Sequence, residues 1–194
     1  MVQSESPAWP VCCAEAGLVE ALRERDEVAF ADFVVRHGAA MRRVARAILH
    51  EMALAEEAVQ ETWLAVLRGI GTFRQHASLR TWVFRILINR ARTIAVREAR
   101  TVSLPEMGED SVPAAPGHSP EDELLSDELR SVIEATVASL APMQRDVITL
   151  RDIEGWEAPE VCAMLGIGDV HQRVLLHRAR AKVRRALATY LAQG

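Results

Sequence analysis

Apolar residues recur every three or four positions along nearly all of this 194-residue chain, and no stretch alternates with a period of two. That pattern predicts an all-α protein without strands. The steadiest stripe is Leu79, Trp82, Val83, Ile86 and Leu87, one inward face of a helix with Ser78 as its N-cap. Upstream, residues 17–25 predict a short helix. Asp26 then caps a second helix that runs to Gly38 with Val28, Phe30, Phe33 and Val34 inward, and a third spans 39–50 on Met41, Val44, Ala45 and Ile48. A fourth, over 53–69, turns Leu54, Ala58, Val59, Thr62 and Val66 to the core and leaves Glu56, Glu57, Gln60, Glu61 and Leu64 outward. Downstream, Ser119-Pro120-Glu121-Asp122 restarts helix with a capping-box pattern, and Leu125, Leu129, Val132, Ile133, Thr136, Val137 and Leu140 form its stripe. Pro142 opens a helix to Ile153, and Ala158-Pro159 opens a short one to Leu165. Gly166-Ile167-Gly168 then turns the chain into a long helix from Asp169 to Leu191.

Between these halves the chemistry changes. Residues 101–120 hold Pro105, Pro113, Pro116, Pro120, Gly108 and Gly117, a flexible linker between two helical domains at 17–100 and 121–194. Residues 1–16 are expected to be a disordered lead-in. Short helix, glycine turn and cationic helix make the second domain a helix-turn-helix. No apolar run approaches the about 18 residues of a membrane span, and the N-terminus lacks a basic start and long apolar segment, so a cytoplasmic protein without membrane contact of its own is expected. Cys12, Cys13 and Cys162 form neither a disulfide framework nor a zinc pattern, and no Ser/His/Asp or phosphate-loop constellation is present. The expectation is therefore no metal, no cofactor and no enzymatic activity of the chain alone.

A net charge of -4 conceals blocks of opposite sign. Residues 68–100 carry eight arginines and one acid, 106–134 carry nine acids and one arginine, and 170–194 carry six basic residues and no acid. Two cationic patches flanking an acidic segment leave nucleic acid open as a ligand, since phosphate binding depends on local patches. In the first, Arg80, Arg85 and Arg92 lie off the apolar stripe, placed for bidentate contact with phosphate oxygens, and the loop of Phe73, Arg74, Gln75, His76 and Ala77 suits an unstacked base. A core helix with solvated arginines explains the same stretch equally well. In the second, the recognition helix presents His171, Gln172 and Arg173 for base readout, glutamine suiting adenine and arginine guanine, with Arg178, Arg180 and Lys182 toward phosphates. The mixed acidic and apolar outer face over 53–69 suggests a protein partner or a plain solvated face.

With these blocks in order, DEVAF, AEEAVQETWLAV, FRQHASLRTWVFRILINRAR, SLAPMQRDVITLRDIEGWEAPEVCAMLGI and HRARAKVRRAL, the chain resembles the extracytoplasmic-function (ECF) sigma factors of bacterial RNA polymerase. These keep regions 2 and 4, and the likeness runs from about residue 18 to 187. It implies that Glu57, Gln60, Glu61, Trp63 and Leu64 dock on the beta-prime clamp helices of core polymerase. Phe73, Arg74, His76 and Ser78, with Arg80, Trp82, Arg85, Asn89 and Arg92, would capture a flipped base and hold the melted minus-ten strand, as single-strand binding requires a cationic track with base surfaces. The linker would thread toward the polymerase active centre. The second domain would sit on the beta flap and read the minus-thirty-five element through His171, Gln172, Arg173, His177, Arg178 and Arg180. Many members enter the recognition helix with Gly-Thr-Val-Lys-Ser-Arg; here Val170, His171, Gln172, Arg173, Val174 and Leu175 stand there, so no promoter sequence transfers. An anti-sigma factor is an expected partner, held by the exposed helix around Glu57.

Two rivals make different demands on the residues. A free-standing helix-turn-helix regulator needs only 121–191 for DNA and has no use for the basic segment from Phe73 to Arg92. A purely protein-binding helical adaptor leaves both cationic patches unexplained.

Overall fold

The computed structural model describes residues 13–101 and 120–192, with side chains over 15–99 and 128–192. Among them there is no strand. The first domain holds α1 (Cys13–Arg23), α2 (Glu27–Leu49), α3 (Met52–Gly69) and α4 (Leu79–Thr101), with a single 3-10 turn at Ile70–Thr72. The second holds α5 (Pro120–Ala138), α6 (Pro142–Ile148), a π-helical turn at Thr149–Ile153, α7 (Ala158–Leu165) and α8 (Asp169–Leu191). Of the linker expected over 101–120, residues 102–119 lie outside the described residues, and Thr101 and Pro120 end and begin helices; of the lead-in expected over 1–16, residues 1–12 lie outside them and 13–16 are helical rather than disordered. α1 begins at Cys13, four positions ahead of the expected start.

Local chemistry accounts for the ends of these helices. The Asp26 carboxylate accepts the N–H groups of Val28 and Ala29 at 2.8 and 3.0 Å, and the Ser78 hydroxyl accepts that of Thr81 at 3.1 Å, so both residues cap as expected. Glu157 and Glu160 form a reciprocal capping box at the start of α7. Gly166 ends α7 with φ 67°, a left-handed conformation that glycine adopts without a Cβ clash.

Two expected elements differ. α2 is one helix of 23 residues rather than two, because the apolar positions Phe33, Met41, Val44, Ala45 and Leu49 stay in phase across Gly38. A lone glycine lowers helix propensity by about 1 kcal/mol, too little to break a stripe packed on both sides of it. The helix expected over 142–153 opens into a π turn after Ile148, where the Glu154 N–H reaches the Thr149 carbonyl at 2.9 Å. Val28, expected inward, stands exposed because it lies about 140° around α2 from the buried Phe33.

α2, α3 and α4 pack together around Met41, Val44, Ala58, Val66, Val83 and Leu87, with Val19 and Leu22 of α1 completing the core. In the second domain Val147, Leu150, Val161, Met164 and Leu176 fill the space between α6, α7 and α8. The stripe of α4 is wider than its expected face: Phe84, Ile88 and Ala91 are fully buried as well. They are covered by the second domain, since α7 packs on α4 and α6 on α2.

Candidate nucleic-acid interface

The 73–78 loop is held by residues far away in the chain. The Arg23 guanidinium donates to the Phe73 carbonyl at 2.9 Å, and the Glu15 carboxylate accepts the N–H of Leu79 at the free end of α4. Neither Arg23 nor Glu15 was expected to serve this site, and no local signal marks them. Phe73 is itself buried, its ring 5.1 Å from that of Trp82. It packs on Trp82 and lines the inner wall of the adjoining cavity with little of its own surface open to solvent. Above it lies a cavity of about 260 Å³ lined by Arg74, His76, Thr81, Trp82 and Arg85, with Ala163 of α7 on its far side. Gln75 holds φ 57°, an uncommon conformation for a residue with a Cβ and one that collects at binding loops.

The predicted minus-ten residues divide into two groups. Arg74, His76, Arg85 and Asn89 are exposed, and Ser78 serves as the cap. Arg80 and Arg92 instead face the second domain. The Arg80 guanidinium sits 3.5 Å from the centre of the Trp156 ring, half-buried, and burial pulls its pKa below the ordinary value. Arg92 donates to Asp146 at 2.6 Å.

These are parts of a larger contact between the domains. Trp156 is buried edge-on against Phe84, ring centres 4.7 Å apart. Arg43 grips Glu154 through two bonds of 2.7 and 2.9 Å, and Glu154's side chain is almost wholly buried there. The Thr81 hydroxyl donates to Glu160 at 3.2 Å, and Arg145 donates to the Ala47 carbonyl and touches the His50 ring. Burial raises the Asp146 carboxyl above its usual range, the pairing with Arg92 notwithstanding. The Trp156 indole N–H finds no hydrogen-bond partner in the closed contact.

On α3, Gln60 is exposed and Leu64 is 51% exposed, while Glu57 and Glu61 lie near the arginines of α4, Glu57 to Arg97 at 3.3 Å and Glu61 to Arg90 at 3.8 Å. Trp63 is half-buried, its ring 5.9 Å from both Phe30 and Phe33. Of the expected partner face, Gln60 and Leu64 are the most open.

On α8, His171, Arg173, His177, Arg178 and Arg180 are exposed. Gln172 is not: it is 1% exposed and shares the inner face with Leu175, Leu176 and Ala179. A readout role for Gln172 has no geometric basis in this packing. Arg173 is paired with Asp169 one turn earlier, and Arg180 makes bonds of 2.8 and 2.6 Å to Asp152 of the π turn. Among the described residues no helix is long and apolar enough to cross a membrane, and no group of three His, Cys, Asp or Glu residues is placed to hold a metal ion.

Comparison with known proteins agrees with this two-part layout. Residues 33–101 match the family model of Sigma-70 region 2, and residues 130–183 match Sigma-70 region 4. The molecule is thus a two-domain protein of the Sigma-70 class. The chain is 30% identical over 179 residues to the ECF RNA polymerase sigma-E factor of Escherichia coli (strain K12), covering 86% of this chain and 90% of that one. It is 27% identical over 186 residues to the RNA polymerase sigma-H factor of Pseudomonas aeruginosa, covering 91% and 95%. Among solved structures, it is similar to CnrH in complex with the cytosolic domain of CnrY, with a TM-score of 0.66, 26% identity and coverage of 91% and 98%. The fold is also that of the sigma factor RpoE from Bartonella quintana, solved with the anti-sigma factor NepR, with a TM-score of 0.69, 20% identity and coverage of 82% and 96%. This chain belongs to the ECF RNA polymerase sigma factors, a family of transcription initiation factors.

Proposed function

We propose that this protein binds core RNA polymerase in the cytoplasm, recognises a two-part promoter and promotes its melting. The observation that carries the reading is the cavity bounded by Arg74, His76, Trp82 and Arg85, with exposed Asn89 further along the same helix, on a domain separate from the helix-turn-helix. The first-domain side of this cavity, the Trp82 ring with Arg74, His76 and Arg85 around it, suits an unstacked base whose backbone follows α4. Duplex readout of the minus-thirty-five element falls to α8, and docking on the beta-prime clamp helices to Gln60 and Leu64 with Glu57, Glu61 and Trp63 around them. The second domain rests on the beta flap. Because Arg80 and Arg92 are engaged with the second domain, the closed arrangement is a resting form, and loading on polymerase parts the two domains. An anti-sigma partner follows from the solved relatives, two of which are described as complexes, with the cytosolic domain of CnrY and with the anti-sigma factor NepR.

Run-off transcription tests this directly. Purified bacterial core polymerase, given the promoter upstream of the protein's own gene, should yield a defined transcript only with this protein present. Asn89→Ala should lower permanganate reactivity of the minus-ten thymines about tenfold while leaving holoenzyme binding to the closed duplex nearly unchanged. Tight binding of the same DNA without polymerase, and no transcript, would instead make the protein a free-standing regulator.

A further inference from the structure

The outermost line of the first two turns of the recognition helix carries two exposed valines, with exposed His177 beside them. Val170 is 74% exposed and Val174 is 41% exposed. At about 100° per residue, both lie within about 30° of the line opposite the buried stripe of Gln172, Leu175, Leu176 and Ala179. The charged residues lie around the flanks. Arg173 and Arg180 stand about 70° and 90° from that line on one side, where they border a cavity shared with Asp152 and Ile153 and are held by Asp169 and Asp152. Arg178 flanks the other side.

These valines contribute little to folding. A β-branched side chain lowers helix propensity relative to alanine, and a valine in water recovers none of that by burial. Val170 and Val174 stand among the charged and polar residues Asp169, His171, Arg173 and His177 on the exposed part of the first turns of α8. The placement makes sense for a surface that is buried only against a ligand. From Val170 onward the chain has six cations and no acid, so that ligand is an anionic duplex, and a helix docked by its flanking cations lays its outermost line on the floor of the major groove. The one apolar group that floor offers is the C5-methyl of thymine.

We infer that Val170 and Val174 read thymine 5-methyl groups in the minus-thirty-five element, so that promoter selectivity in α8 rests on an apolar pair in addition to its arginine and histidine donors. The inference rests on the sigma reading above.

The test uses holoenzyme on the promoter mapped by run-off transcription, with each thymine of the minus-thirty-five element replaced in turn by deoxyuracil. That replacement removes only the 5-methyl group. At one or two positions binding should fall about fourfold, the value of one buried methyl. Val170→Ala or Val174→Ala should bind the natural duplex less tightly by a similar factor and should no longer distinguish thymine from uracil at the matching position. Both valines are exposed, so each variant should melt at the temperature of the parent protein, which separates a readout effect from misfolding. Promoter binding that is indifferent to deoxyuracil throughout, or a minus-thirty-five element without thymine, overturns the inference and leaves the sigma reading intact. Failure to produce any promoter-dependent transcript overturns both.

Discussion

Gln172 sits one residue before Arg173 in the first turn of α8, yet its amide is enclosed at 1% exposure and its Nε2 has no hydrogen-bond partner. A buried amide donor left unpaired costs about 1 to 3 kcal/mol. Methionine has nearly the same length and no donor to satisfy. Gln172→Met should therefore raise stability by about 1 kcal/mol in denaturant unfolding and leave promoter selectivity unchanged. A changed preference at an adenine would show that Gln172 turns outward on DNA. The residue was legible as polar and adjacent to readout positions, but its face was not. Only the phase set by Leu175, Leu176 and Ala179 places it inward, and Arg173 beside it faces out.

At the scale of the element, the same logic applies to α2, where a glycine interrupts the composition without interrupting the stripe. A Cβ built on Gly38 meets only the flexible end of Arg42, at 3.7 Å, which is ordinary contact. Gly38→Ala should stabilise the protein by about 1 kcal/mol, read as a higher denaturant midpoint with unchanged slope. Destabilisation would mean that α2 bends at this point in solution. The helix ends at Asp26, Ser78 and the Gly166-Ile167-Gly168 turn were legible, because these act through bonds to their own neighbours in sequence, whereas the end expected at Gly38 does not exist. The π turn at Thr149–Ile153 was not legible, since no residue type in Thr149–Ile153 marks the wider turn. The burial of Phe84 and Ile88 was hidden for another reason: periodicity marks a face as apolar but does not say what covers it.

For the molecule as a whole, what covers that face is the other domain, through a contact with an aromatic centre and titratable edges. Trp156→Ala should remove about 3 kcal/mol from the closed arrangement, since the ring meets Phe84 and Arg80 of the first domain and nothing would fill its place. Small-angle scattering should then report a larger radius of gyration at undiminished helicity; an unchanged radius would place the hold elsewhere. Protons act at the edge of the same contact. His50 faces Arg145 across the domains, with Arg43, Arg46 and Glu134 around the same cleft. Burial, and then the Arg145 charge, lower its pKa below the ordinary 6.5. The closed form thus binds this proton less well than the open form. Its stability is fully present above that ordinary value, falls as pH drops through 6.5, and levels off below the lowered value. Asp146 works in the opposite sense, because burial raises its carboxyl pKa and protonation favours the closed form, but it does so in the more acidic carboxylate range. His37 is also lowered, by burial and then by Arg80, and lies within the first domain, so its effect is common to variants at position 50. Energy transfer between dyes on α3 and α8 should therefore decrease from about pH 7.5 to about pH 5.5. In His50→Gln the decrease should be smaller, and superimposable curves for the two proteins would remove His50 from the control of domain opening.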